Sequence, residues 1–159
     1  MQTREQRFAR ATLYRVERVM ERRDPTFANL YGRLSHKIPV LILSSGLAQA
    51  LSFVHARGPV RAKGTIPSVP GAPSAYHQLL MDLAWVLAVA EGEFPADPAR
   101  TLPLPTPDAL LRKVQEASLT DYMRMTRLTV QALVWFKRYA QSVLEVEPGD
   151  DDTDPLGGE

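Results

Sequence analysis

The sequence predicts an all-α protein: one compact bundle of five to six helices, with two proline-rich loops and a disordered acidic C-terminal tail. Two observations carry that expectation. Apolar residues recur every three to four positions through most of the chain, and no stretch sustains the alternation of a half-buried strand. Helix-starting residues, Asp-Pro-Thr at 24–26 and Thr-Pro at 106–107, stand just ahead of such periodic runs. The length of 159 residues suits a single domain, placed at residues 1–146 with the tail at 147–159.

The elements follow in order. The first helix is expected over about Thr3 to Arg23, with Leu13, Val16, Val19 and Met20 on one face with Ala9 and Thr12. Asp24 is a plausible N-cap and Pro25 suits the first helical position of a second helix running to about His36. In "KIPVLILSSGLAQALSFVHARG", "VLIL" alone could be a buried strand, but Leu43, Leu47, Leu51 and Val54 keep helical spacing. That predicts a separate buried helix from about Pro39 to Arg57, ended by Gly58. Arg57 to Ser74 reads as a loop from its prolines and glycines. A helix follows over Ala75 to Glu91. A second proline-rich connection leads to a short helix capped by Thr106 and begun by Pro107, running to about Ala117. Ser118 or Thr120 then caps a last helix to about Val146.

Charge divides the chain. The net charge is +1, from 19 basic and 18 acidic residues. Six of those acids (Glu147, Asp150, Asp151, Asp152, Asp154, Glu159) fall in the last thirteen residues, which hold no base. Without them 12 acids face 19 bases, and the body carries +7. Arginine supplies 15 of the 19, and its planar fork suits bidentate phosphate contacts. A GC-rich genome or a heat-loving host would give the same bias.

Several chemistries lack their residues. There is no cysteine, so disulfides, thiolate metal sites and thiol nucleophiles are excluded, which fits a reducing cytoplasm. No apolar signal core opens the chain, and no run of about 18 apolar residues suits a membrane span. No glycine-rich phosphate loop is present; "AKGT" lacks the flanking glycines. His36, His55 and His77 lie about twenty residues apart and form no i, i+4 ligand pair. They would bind metal only if the fold gathered them. No paired acid and base can be picked out. The expectation is no enzyme, no cofactor and no metal.

The basic residues are patterned. At about 100° per residue, Arg4, Arg7, Arg15, Arg18 and Arg22 fall within an arc of about 80° on the first helix, with Ala11 in the same stripe and away from the apolar face. Glu21 lies beside the stripe and Glu17 further round. Such a stripe is either a solvated face with local ion pairs or a surface for a polyanion or acidic partner. On the last helix Tyr122, Leu128, Ala132, Leu133, Phe136, Tyr139, Ala140 and Val143 form an apolar face. Arg124, Arg127 and Arg138 lie opposite with Gln131 and Gln141, and Lys137 at the margin. Phe136 and Tyr139 therefore read as core, not as base-stacking platforms. Val130 and Val134 fall on the polar side, where exposed apolar residues beside arginines hint at a protein contact.

Three segments together resemble a known family. They are the arginine-bearing helix Arg7 to Met20; "YGRLSHKIPVLILSSGLAQALSF", in which Lys37, Pro39, Gly46, Leu47 and Gln49 fill a pattern of a Tyr, a basic-Leu-Pro-like step and then Gly-Leu-x-Gln; and "ALVWFKRYAQSVLE", in which Trp135, Lys137, Arg138, Tyr139 and Ala140 fill a closing Trp-hydrophobe-Lys-Arg-aromatic-Ala element. The chain is similar to the small all-helical subunit of the Cmr-type (type III-B) CRISPR RNA-guided effector complex. Ser45 departs from the Asn often found before Gly-Leu, and the tail and proline-rich loops have no family counterpart.

The resemblance implies a non-catalytic subunit in antiviral defence. It would stack with copies of itself and with other Cmr subunits, lining a basic groove along the guide and target RNA backbone. Base pairing would read sequence, leaving the protein to track phosphates. Arg15, Arg18, Arg22, Lys37, Lys137 and Arg138 are the expected RNA contacts. The alternative is a purely structural adaptor whose arginine faces meet acidic protein neighbours.

Overall fold

The computed structural model describes residues 1–58, 73–92 and 105–149. These form six helices and no strand: α1 (Arg4–Glu21), α2 (Pro25–Ser45), α3 (Leu47–Arg57), α4 (Ala75–Glu91), α5 (Pro107–Glu116) and α6 (Leu119–Ser142). The all-α expectation holds. Most of both proline-rich loops, and residues 150–159 of the tail expected to be disordered, lie outside the described residues.

Starts are set by side-chain caps. Thr3 and Gln6 form a capping box on α1, each side chain bonding the other's backbone N–H. Asp24, Ser74, Thr106 and Ser118 accept from the third residue onward at the starts of α2, α4, α5 and α6. α3 follows Gly46, which has no side chain to offer. The Tyr122 hydroxyl, from α6, accepts from Ala48 N–H at 3.1 Å in its place.

α4 is the central helix. It touches α1, α2, α3, α5 and α6, and its stretch Leu83 to Val86 is buried without interruption. α1 lies against α4 and α6, while α6 runs along α2. α3 and α5 cover the remaining side of α4. Phe136, Leu133, Leu79, Leu34 and Tyr31 have essentially no exposed surface. Each such aliphatic or aromatic side chain contributes about 1.5–3 kcal/mol through burial.

Four expectations are corrected. The break between α2 and α3 falls at Gly46, not before Pro39, and α2 continues through the proline. An interior proline costs a helix about 3 kcal/mol. Leu34, Ile38 and Ile42 on the same helix are all buried, and three such side chains return roughly 5–9 kcal/mol. Packing wins. The turn is placed instead where φ is +83°, a conformation that only glycine adopts without strain.

The buried face of α1 is Phe8, Ala11, Thr12, Val16 and Val19; Met20 is exposed and Leu13 half-buried. Ala11 thus belongs to the core, and the arginine stripe flanks the core instead of standing away from it. Finally, α6 ends at Ser142, four residues early. Val146 N–H turns back to bond Ala140 C=O at 2.8 Å, after a left-handed Glu145 with φ +58°. Val130, read as exposed, is half-buried against the core, whereas Val134 remains 43% exposed.

Candidate nucleic-acid interface

The six expected RNA contacts fall on α1, α2 and α6. On α1, Arg15 is committed inward. Its Nε donates to Asp82 Oδ1 at 2.8 Å, and its side chain is 16% exposed. Asp82 has no exposed surface and also accepts from Tyr31 Oη at 2.7 Å and Gln78 Nε2 at 2.8 Å. Burial pushes the Asp82 carboxyl above its ordinary range despite the Arg15 charge and the three bonds. A buried carboxylate requires such partners, so Arg15 ties α1 to α4.

Arg18 and Arg22 are held at the surface. Arg18 bonds Glu21 at 2.8 Å and lies over the Tyr14 ring at 4.8 Å. Glu21 therefore neutralises part of the stripe, as its position in the sequence predicts. Arg22 sits 3.7 Å over the Phe27 ring at the start of α2. The rings thereby orient the guanidinium planes, and Glu21 occupies one edge of Arg18.

The second group is carried by α6, which packs along both α1 and α2. Arg138 is exposed and rests 4.8 Å from the Trp135 ring centroid, and Trp135 stacks with Tyr139 at 5.9 Å. Lys137 is half-exposed at the margin of the helix. Burial raises the Tyr139 phenol, the Arg138 charge lowers it and the Glu17 carboxylate raises it. Arg138 and Glu17 thus both act on Tyr139, and Glu17 lies about 120° round α1 from the centre of the arginine stripe. Phe136 is fully buried and Tyr139 half-buried, so neither is a free stacking platform. Lys37, on α2, follows His36, whose Nε2 donates to Val146 C=O at 2.8 Å.

Sequence reasoning missed the Val146 return that joins these helices. Val146 is buried, and its side chain lies where a Cβ on Gly32 would come within 2.6 Å. Gly32 and His36, four apart on α2, are its seat. The sequence signal was a single valine between acids, too short for any periodicity.

The histidines are only partly gathered. The rings of His55 and His77 stand 5.2 Å apart, with His55 Nε2 on Asp108 at 2.6 Å and His77 Nε2 on His55 C=O at 3.2 Å. His36 is engaged with Val146 instead. Among the described residues no group of three or more His, Cys, Asp or Glu is disposed to hold a metal. A shallow cleft between α4, α5 and α6 is lined by Ala84, Leu87, Leu110, Met125 and Leu128. Glu91 at its edge is bonded to Arg124 at 3.0 Å and paired with Lys113 at 3.8 Å. Among the described residues no helix is long and apolar enough to cross a membrane.

These features define a small all-α module that carries its arginines on helix surfaces, several of them laid over aromatic rings. The chain belongs to the Cas_Cmr5 family of CRISPR-associated proteins, which it matches over residues 4–143. It is 32% identical over 145 residues to the CRISPR system Cmr subunit Cmr5 of Thermus thermophilus, covering 91% of this chain and 99% of that protein. The crystal structure of a CRISPR-associated Cmr5 family protein from Thermus thermophilus superposes with a TM-score of 0.59 at 29% identity, covering 90% of this chain and 98% of that one. The resemblance read from the sequence is borne out.

Proposed function

We propose that the chain is a non-catalytic small subunit of a type III-B CRISPR (Cmr) complex, acting in the cytoplasm in antiviral defence. It assembles with other Cmr subunits and with further copies of itself, and tracks the backbone of guide and target RNA. Family membership supports the assembly role. The observation that carries the RNA reading is the pair Lys137 and Arg138 at the surface of α6, on the helix that packs along the one bearing Lys37. Arg18, Arg22, Lys37, Lys137 and Arg138 are the proposed phosphate contacts. Arg15, with its Nε on Asp82, serves chiefly to position α1.

A second reading has its own observation. Val134 is exposed one turn before Lys137 and Arg138, which suits a protein neighbour with an acidic surface and an apolar centre. Salt dependence separates the two. Arg138→Glu should weaken binding of unrelated RNA sequences alike and flatten the plot of log affinity against log salt by about 0.7, the loss of roughly one phosphate contact on a single strand. An unchanged affinity and slope in a fluorescence titration would remove Arg138 from the interface. For the assembly role, tagged protein purified from its host should retain Cmr subunits and repeat-derived guide RNA. Recovery of a different assembly would overturn it.

A further inference from the structure

Among the described residues four arginines lie over aromatic rings, and they are not equivalent. Arg15, 6.0 Å from the centres of both the Tyr14 and Trp85 rings, is bonded to buried Asp82. Arg18, over Tyr14, is bonded to Glu21. Arg22, over Phe27, is half-buried. Arg138, over Trp135, is exposed, and among the described residues it enters no ion pair.

The placement of Arg138 follows from α6. Arg138 and Tyr139 come three and four residues after Trp135, one turn along the same side of the helix. The Trp135 and Tyr139 rings stand 5.9 Å apart and 29° from parallel, and both pack against the core. Arg138 Cζ lies 4.8 Å from the centre of the Trp135 ring. The group is thus two rings backed by the core, with a planar cation as its exposed member. A ligand that stacks on it has little left to order, which lowers the entropic cost of binding. Charge alone does not account for such a group. The Glu17 carboxylate acts on Tyr139 in opposition to Arg138, so attraction for an anion is partly offset here. What remains is a delocalised, weakly hydrated plane suited to stacking on a second π-face. RNA supplies that face wherever a base is unpaired.

We propose that Arg138, backed by Trp135 and Tyr139, is a stacking shelf for one unpaired nucleobase of a bound RNA. The shelf rests on the RNA reading above, to which it adds a base contact. The guanidinium face takes the base, and its edge N–H groups serve the adjoining phosphate. Every base has a π-face, so the shelf holds any of the four and reads no sequence.

Two RNA chains of equal length test the shelf on the full protein: a short oligouridylate, and the same ribose-phosphate chain without its bases. The oligouridylate should bind about fivefold tighter or more, as one stacked base provides. Arg138→Lys keeps the charge and loses the plane. Its preference for the base-bearing chain should fall below about twofold, with the slope of log affinity against log salt retained. Equal affinity of the unaltered protein for the two chains overturns the shelf and leaves the backbone contacts standing. A preference that Arg138→Lys keeps in full places the base contact elsewhere and likewise overturns it. If neither chain binds, the RNA reading itself fails and the shelf with it.

Discussion

Arg15 illustrates how a charge read as surface becomes structural. In the sequence it belongs to a run of arginines; in the fold it meets Asp82, a lone acid within the apolar run of α4. Helical periodicity counts each helix by itself and carries no signal for a partner 67 residues away. The legible sign was Asp82 itself, because an acid amid leucines and alanines requires a bonded partner. Tyr31 completes the group. Burial first, then the Asp82 charge, holds its phenol well above the ordinary value of 10.0. The tyrosine donates to Asp82 only while protonated. Its contribution to stability is thus full below about pH 10 and lost as pH rises beyond. Urea unfolding from pH 9 to 11 should show stability falling with pH, and Tyr31→Phe, less stable throughout, should fall less steeply. Parallel slopes in the two proteins would sink the account.

Helix starts were largely legible, because a cap is a local bond between residues three apart. Asp24 and Thr106 are read correctly for that reason, and Ser118 is one of the two caps the sequence offers for α6. Ends and interruptions were not, because they are decided by packing. Pro39 looks like a boundary but is carried through by Leu34, Ile38 and Ile42, and the real break needs the backbone of Gly46. The end of α6 is likewise set by the seat of Val146, which exists only when α2 is alongside. Gly32→Ala tests that seat. The added methyl would lie 2.6 Å from Val146 Cβ, so either Val146 or α2 must shift. A loss of about 1–3 kcal/mol is expected by thermal unfolding, together with faster amide exchange at Val146. A loss below about 0.5 kcal/mol, within the range of ordinary surface changes, would mean that the seat is dispensable.

Across the whole molecule, the candidate interface was legible as a composition and only in part as a place. The basic body and outward-facing Arg138 follow from counting and periodicity. That the helix of Lys137 and Arg138 packs along the helix of Lys37 is a tertiary contact, which no local pattern encodes. α1 binds the assembly together, since it packs on α4 and α6 while α4 and α6 also touch α2. A chain beginning at Arg23 would lose Phe8, Val16 and Val19 from the core and leave Asp82 without Arg15. It should show no sharp thermal transition by circular dichroism. A transition retained within a few degrees would show that α1 is an appendage.

The same placement of α1 has a consequence during synthesis. Its apolar face emerges first, yet α4 begins at Ala75 and α6 only at Leu119. At the usual elongation rate of about 5–20 residues per second, the face waits roughly 3–11 s for α4 and about 5–20 s for α6. For that interval the nascent chain displays an unpaired amphipathic helix flanked by arginines, which makes it a natural client for whatever chaperone attends the ribosome exit.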